Sequence, residues 1–414
     1  MTQKPAAARS GPRALPRAAP VKRKEVKRND FPVVGLGASA GGLEAFIKLF
    51  TALPADSGMA FILIQHLDPT HESMMVALLS SHTSMKVLQA TDGMAVERDH
   101  VYVIPPRVYL SIQDGLLHLS VPRERHGARM PLDYFLRSLA DGYGQRAVCV
   151  ILSGTGADGS LGLKAVKEKG GLVIVQEPAE AAFDGMPRSA IQTGAADFIL
   201  PVEKIPDALK TYATQSGFKS TSGGGAPSSF SQTGLIEIVD LLRARTSHDF
   251  AFYKPGTLLR RMERRMAIAG IPDSARYMEV LRGDAEEVER LAKDLLIHVT
   301  SFFRDTAAFE VLAKSVIPDL VRQRTSDQSL RLWVPACSTG EETYSLVMLA
   351  LEEIAATKRN LKLQVFASDI EEDAVQFARN GLYPASIEAE VSPGRLARFF
   401  VKDGDDYRVA PELR

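Results

Sequence analysis

Residues 33–42 read Val33-Val34-Gly35-Leu36-Gly37-Ala38-Ser39-Ala40-Gly41-Gly42. The stretch begins as the apolar run of a strand covered on both faces, breaks into glycines around one hydroxyl, and resumes as a helix from Leu43. A strand-to-helix turn of this composition can present a nucleophile, because glycine lets the backbone turn sharply and keeps other side chains clear of a substrate. The following helix aims free N–H groups and the positive end of its dipole at any negative charge that develops there. The same glycines also fit a phosphate-cradling turn with Ser39 as small filler, so this stretch alone leaves both readings open.

The next apolar run, Ala60-Phe61-Ile62-Leu63-Ile64-Gln65, discriminates between them. A dinucleotide site wants an acid at the end of its second strand to hold a ribose. Here the strand ends in His66. Ligands in open parallel sheets bind at the carboxyl edge, so a base at that edge can meet a nucleophile leaving the neighbouring strand. His71, His82, His100, His118, His126 and His248 have no such placement and read as structural or surface residues. A third run, Ala147-Val148-Cys149-Val150-Ile151-Leu152, empties into Ser153-Gly154-Thr155-Gly156-Ala157-Asp158-Gly159. Asp158 alone reads as the N-cap of the next helix. With Ser39 and His66 at the same edge it reads instead as the acid that orients an imidazole and stabilises it once protonated.

The order Ser, His, Asp differs from that of ordinary α/β-hydrolases. The blocks VVGLGASAGGLEAF, FILIQHLDPTHESMM, VYVIPP, RMPLDYFLRSLA, VILSGTGADGSLGLKAV and AFDGMPRSAI resemble, in order and spacing, the catalytic domain of the chemotaxis protein-glutamate methylesterase family, CheB. The resemblance implies Ser39 as nucleophile, His66 as general base and acid, and Asp158 as its orienting partner. It also implies hydrolysis of glutamyl methyl esters on chemoreceptors, with glutamine deamidation in many members. Ala40 stands where many members carry a hydroxyl and Thr155 where many have methionine. Both positions are expected to act through backbone N–H groups near the oxyanion. The residues before position 31 leave no room for the receiver domain of the stand-alone enzyme, so control is expected from elsewhere.

Residues 1–30, rich in Ala, Pro, Lys and Arg, read as a disordered basic tail without a signal-peptide core. The whole chain balances 50 basic against 50 acidic residues, which argues against a dedicated nucleic-acid binder. Two cysteines, Cys149 and Cys337, are too few for a disulfide framework or a metal cluster. No stretch reads as transmembrane, so a cytoplasmic protein without membrane insertion is expected, with no metal. The esterase domain is assigned to 31–214 and a Ser/Gly-rich linker to 215–231.

From Gly234 the pattern turns helical. Arg260, Arg261, Arg264 and Arg265 cluster on one side of the second helix and by themselves read as a solvated face. YKPGTLLRRMERRM, LLIHVTSFFRD, LRLWVPACSTGEETYSLVMLALE and VFASDI resemble the chemotaxis receptor methyltransferase family, CheR. That resemblance implies that the basic helix docks acidic receptor helices. Independently, Leu330-Arg331-Leu332-Trp333-Val334 opens a nucleotide-type βα unit without a Walker lysine, and the following strand ends in Asp369, an acid suited to ribose hydroxyls. The resemblance implies S-adenosylmethionine as cofactor, with Asp369 on the ribose, Glu342 and the Ser338-Thr339-Gly340 turn near the methionine moiety, and Thr300 and Arg304 contributing; His298 carries over weakly. The helical domain is assigned to 232–305 and the cofactor domain to 306–414.

The expected fold class is thus a doubly wound parallel-sheet α/β esterase, then a small all-α domain and the first part of a Rossmann-like methyltransferase domain. Only two or three strands of the latter are expected before the chain stops near Tyr407-Arg408-Val409, as in a fragment of a longer fused protein. The expected partners are chemoreceptor cytoplasmic helices or similar signalling proteins. A non-catalytic signalling scaffold and a small-molecule carboxylesterase are the alternative readings.

Overall fold

The computed structural model describes residues 30–65, 74–121, 130–215, 230–246, 248–296, 300–325, 328–357, 361–404 and 406–414. His66, His71, His126, His298, nearly all of the basic tail and most of the linker lie outside the described residues.

The first domain runs β1 (Val33–Ala38), α1 (Gly42–Ala52), β2 (Ala60–Gln65), α2 (Met75–Ser80), β3 (Lys86–Gln89), β4 (Met94–Ala95), β5 (His100–Val103), β6 (Tyr109–Gln113), β7 (Leu116–Ser120), α3 (Pro131–Tyr143), β8 (Ala147–Ile151), α4 (Gly162–Glu168), β9 (Leu172–Gln176), α5 (Gly185–Gln192), β10 (Phe198–Leu200) and α6 (Ile205–Gln215). Seven strands form one parallel sheet in the order β10-β9-β8-β1-β2-β5-β3, and β4, β6 and β7 make a small antiparallel sheet beside it. Every residue of β1, β8 and β9 is buried, as their unbroken apolar runs require of strands covered on both faces. On one face lie Leu132, Phe135 and Leu136 of α3, Leu163 and Val166 of α4, and Met186 of α5. On the other lie Phe46 and Leu49 of α1, Leu79 of α2, and Ile205 and Leu209 of α6.

Strand order places the topological switch between β1, whose chain continues outward to β2, and β8, whose chain continues the other way to β9. In such sheets the ligand crevice opens outside the carboxyl ends of the strands that flank the switch. The turns at Ser39 and at Ser153–Gly159 leave those two ends.

The helical domain contains α7 (Gln232–Thr246), α8 (Pro255–Ala269), α9 (Ser274–Gly283) and α10 (Ala285–Leu295). Ile238, Leu242, Met262, Tyr277, Leu281 and Leu291 form its core. Asp273 and Asp284 cap α9 and α10, their carboxylates accepting backbone N–H groups of the first turn.

The arginine stripe of α8 is not a solvated or partner-facing surface. Arg260 is exposed, but Arg261, Arg264 and Arg265 are buried. Arg264, with 0% of its side chain exposed, pairs with Asp197 of the first domain and, at 2.6 Å, with Asp294 of α10. Lys167 of α4 joins the same two carboxylates at 2.5 and 3.0 Å. Arg264 also donates to the Gly171 carbonyl, and Arg261 donates to the Lys167 and Glu168 carbonyls at the C-terminal end of α4. Those carbonyls carry the negative end of the helix dipole. Arg265 turns inward to Glu287, which also accepts from Tyr277. Burial alone would raise the Asp197 and Asp294 carboxyls, but the cations outweigh it and hold both low, Asp294 at about 2. The docking surface lies at the amino edge of β9 and β10, opposite the Ser39 turn.

The last region runs α11 (Thr306–Val311), α12 (Ile317–Arg322), β11 (Ser329–Pro335), α13 (Glu341–Ala356), β12 (Lys362–Ser368), α14 (Glu372–Asn380), β13 (Leu382–Tyr383), α15 (Pro393–Phe399), β14 (Phe400–Asp403) and β15 (Asp406–Val409). β11 and β12 pair in parallel, but Asp406–Val409 is no third strand beside them: β15 pairs antiparallel with β13 and β14 in a sheet of its own. Trp333 stays 70% exposed on the two-stranded sheet.

Replacing Arg264 by Met leaves two buried carboxylates facing one lysine, and breaking such a pair costs about 3–5 kcal/mol. Calorimetry is expected to show the helical domain melting separately and earlier in Arg264→Met, where the parent chain melts both domains together. An unchanged single transition would contradict this account of the interface.

Candidate active site at the carboxyl edge

Ser39 follows the last residue of β1 and precedes Gly41, whose φ of 72° supplies the left-handed turn into α1. Its N–H donates to the Ser153 carbonyl at 3.0 Å, and its carbonyl accepts from Gly42 N–H at 3.0 Å and the Gln65 side chain at 3.4 Å. The β1, β2 and β8 ends are thereby tied around one hydroxyl. The two turns touch: a Cβ placed on Gly154 would lie 3.0 Å from the Ser39 Cβ and would overlap the Met186 thioether.

Ser153, fully buried, organises this contact. Its hydroxyl donates to the Ala40 carbonyl at 2.9 Å and accepts from Phe183 N–H at 3.0 Å, while its own N–H donates to the Gln176 side chain at 2.8 Å. Gln176, also buried, ends β9. Sequence reasoning did not single out Ser153, Gln176 or Gln65; the signal available was a polar residue ending an otherwise apolar strand run.

Asp158 does not cap the helix that follows it. Its two carboxylate oxygens accept from Leu132 and Asp133 N–H, each at 3.1 Å, in the first turn of α3. That turn begins with Pro131, which has no N–H to satisfy, and its N-cap residue Met130 makes no side-chain cap. The Leu132 side chain reaches both Gly37, two residues before Ser39, and Gly159, where a Cβ would come within 2.5 Å of it. The first turn of α3 therefore lies beneath both loops and carries Asp158 to the edge where Ser39 emerges. Burial raises the Asp158 carboxyl to about 8, and the nearby Asp133 charge adds to the rise. A cation arriving beside Asp158 would pull it back down. His66 directly follows β2, the strand adjoining β1, and lies outside the described residues.

At the second edge, Asp369 accepts from Ser338 N–H at 2.7 Å and Glu371 N–H at 3.0 Å, which bridges the ends of β11 and β12. Ala336 and Ser338 both adopt positive φ in that loop, and the Ser338 hydroxyl is buried without a partner. A fixed carboxylate beside an unsatisfied hydroxyl fits a ligand that carries its own donors and acceptors. Of the other expected cofactor residues, Glu342 points to solvent, and its neighbour Glu341 is the buried acid, held by Thr339 at 2.5 Å and Lys164 at 3.5 Å. Thr300 is half-buried, and Arg304 forms an ion pair with Glu168 of the first domain at 3.1 Å. Among the described residues no cluster of metal-ligating side chains occurs, and no helix is long and apolar enough to cross a membrane.

Residues 34–209 match the CheB methylesterase family model, 234–296 the CheR methyltransferase all-alpha domain, and 298–414 the CheR methyltransferase SAM binding domain. A putative protein-glutamate methylesterase/protein-glutamine glutaminase of Leptospira interrogans is 31% identical over 179 residues, covering 43% of this chain and 93% of that protein. An uncharacterized 104.1 kDa protein of Rhodobacter capsulatus is 38% identical over 360 residues, 82% of this chain and 38% of its own length. The protein-glutamate methylesterase/protein-glutamine glutaminase of Pyrococcus horikoshii is 32% identical over 42% of this chain. This chain thus spans about half the length of the Pyrococcus relative and less of the Rhodobacter one. The Thermotoga maritima CheB methylesterase catalytic domain is a structural neighbour at 31% identity and a TM-score of 0.41, covering 44% of this chain and 97% of that one.

Ser153→Ala strands the Phe183 N–H and removes the donor to Ala40. It is expected to destabilise the first domain by about 1–3 kcal/mol, read as a lower urea midpoint with an unchanged slope.

Proposed function

Because the chain belongs to the CheB methylesterase family through its first domain and carries both CheR methyltransferase regions behind it, we propose that it adjusts the methylation of glutamates on chemoreceptor cytoplasmic helices or similar signalling proteins. Ester hydrolysis belongs to residues 31–214, with Ser39 as nucleophile, His66 as base and acid, and Asp158 as the partner of His66.

In this reading the Ser39 Oγ attacks the ester carbonyl carbon as its proton passes to the His66 imidazole. Backbone N–H groups at Ala40 and Thr155 receive the charge that develops on the carbonyl oxygen. Collapse expels the methoxy group, which leaves as methanol with the proton from His66, and the acyl group remains on Ser39. Water then loses a proton to His66 and attacks the acyl carbon, which releases glutamate and restores the serine. A glutamine side chain follows the same course with ammonia as the leaving group. The imidazolium formed twice per cycle is stabilised by the ionised Asp158 carboxylate, and a positive charge beside that carboxyl favours its ionised form.

The observation that carries the reading is the contact of two turns at the single switch point: Gly154 lies against Ser39, and α3 supports both loops through Leu132. Strand order alone would allow a phosphate site there, but β2 ends in Gln65, with His66 next in sequence, and offers no ribose acid at its end.

The second half is read as an S-adenosylmethionine-dependent glutamate methyltransferase. Asp369 would accept the ribose hydroxyls, with the Ser338–Gly340 turn and Glu342 towards the methionine end. Thr300 and Arg304 enter through the family resemblance. When bound, the cofactor supplies an electrophilic methyl group; the chain's task is to hold the acceptor carboxylate in line, which provides most of the rate.

Two measurements test these assignments. Methanol release from methyl-esterified chemoreceptor helices is expected to fall by about 10⁶-fold in Ser39→Ala. Equal release from both proteins would sink the serine, and release from neither would favour a non-catalytic scaffold. For the second site, calorimetric titration with S-adenosylmethionine should detect binding that Asp369→Ala weakens by at least tenfold, the loss of a charge-assisted hydrogen bond of about 1.5–3 kcal/mol. Equal affinity in the variant would remove Asp369 from the ribose.

A further inference from the structure

Asp133 takes no part in the esterase chemistry set out above, yet it is the one acid built into the same support. It lies in the first turn of α3, buried, and its backbone N–H donates to Asp158. Its own carboxylate oxygen Oδ1 accepts from Leu161 N–H at 3.0 Å and Gly162 N–H at 2.5 Å, at the start of α4. The two helices therefore cap each other: Asp158, which leads into α4, satisfies the N-terminal N–H groups of α3, and Asp133 on α3 satisfies those of α4. Neither helix has a side-chain cap from its own N-cap residue. The crossing is too close for any side chain at Gly162, where a Cβ would stand 3.0 Å from the Asp133 Cα and 2.6 Å from the Leu136 Cβ. Asp158 cannot shift without breaking one cap and straining the other.

The second oxygen of Asp133, Oδ2, is buried with no hydrogen-bond partner. A capping role needs one acceptor oxygen, which asparagine would supply equally well. An ionised carboxylate with one oxygen unsatisfied is costly in that place, and a second carboxylate stands beside it.

We propose that Asp133 is a positioning residue for Asp158, holding it against α3 by reciprocal capping and competing with it for the single negative charge that this buried pocket carries. The inference rests on the esterase reading, in which Asp158 must be ionised to stabilise the His66 imidazolium. When one carboxyl of a close buried pair ionises, the other is held protonated. Burial raises both groups here, Asp158 more than Asp133 because the Asp133 charge acts on it. Among the described residues, the charged and titratable groups acting on the pair are Arg137 of α3, which favours the ionised form of Asp133, and the Cys149 thiol of β8, itself pushed up by burial and by Asp133. Asp133 thereby restrains esterase activity at the acid side of neutrality.

Asp133→Asn keeps the Oδ1 acceptor and removes the competing charge. In methanol-release assays across pH, the acid limb of kcat/KM is expected to move to lower pH by about one unit, with the plateau retained within severalfold. Asp133→Ala also removes the cap and is expected to lose plateau activity that Asp133→Asn keeps. A limb that stays in place in Asp133→Asn, or a uniform loss at every pH, would overturn the proposal. Ser39→Ala assayed alongside separates the two ideas: release that survives in it defeats the esterase reading, while release that vanishes in it with an unmoved Asp133→Asn limb defeats only the role of Asp133. Carbon NMR titration of the aspartate carboxyls in the parent chain gives a measure that needs no variant to fold. It should find two carboxyls titrating well above the ordinary range, and ordinary titration of them all would refute the competition.

Discussion

A guanidinium with no exposed surface holds this chain together. Arg264 reaches from α8 to Asp197 on the first domain and Asp294 on α10, and Lys167 reaches back from α4 to the same two carboxylates. Two cations and two anions, one of each sign from either side, compensate one another at its centre. Such a cluster gains little net energy over apolar packing, because desolvation consumes most of the Coulomb attraction. It does impose register: any other seating of the helical domain would bury an unpaired charge. Arg261 adds the α4 C-terminal carbonyls to the same contact, and Ala267 and Ile268 continue the hydrophobic core of the sheet domain.

That seating has a functional consequence. The helical domain occupies the amino edge of β9 and β10, so the carboxyl edge bearing Ser39 is left to the loops of its own domain. Of the arginine face that the family resemblance would offer to a receptor, Arg261 and Arg264 are spent on the contact, Arg265 turns inward to Glu287, and Arg260 is the member of the stripe left exposed. The last region reaches the first domain along α4, where Lys164 meets Glu341 and Glu168 meets Arg304. Two domains read as carrying opposed chemistries therefore share α4, whose N-terminus lies in the esterase edge and whose C-terminus lies in the interface.

Much of the first domain was legible because interior parallel strands are written as unbroken apolar runs, and β1, β2 and β8 are such runs. The residues that follow two of them, Ser39 and the Ser153–Gly159 turn, were legible for the same reason: a run that stops in glycine and polar groups marks a carboxyl edge. What the sequence does not reveal is the helix that Asp158 caps: taken alone its position suggests the helix that follows, which its place at the sheet edge sets aside, and its carboxylate in fact accepts from the first turn of a helix some twenty-five residues earlier. The family resemblance singles out Glu342, whereas packing beside Lys164 buries its neighbour Glu341, because adjacent helix positions point in different directions. The arginine stripe deceived for a related reason: spacings of three and four define a face but not what covers it.

The sequence by itself determined where strands end, which side chains stand at those ends, and that two families of motif follow one another along the chain. These are local matters, set by hydrophobic period, by glycine and by the chemistry of single residues. Tertiary structure alone decided that Ser153 couples the two turns at the switch point, that Asp133 and Asp158 cap each other's helices, and that Arg264 is buried between domains. Each of these joins groups distant in the chain, and its sign, whether a charge is solvated, paired or held neutral, depends on neighbours that no local pattern specifies.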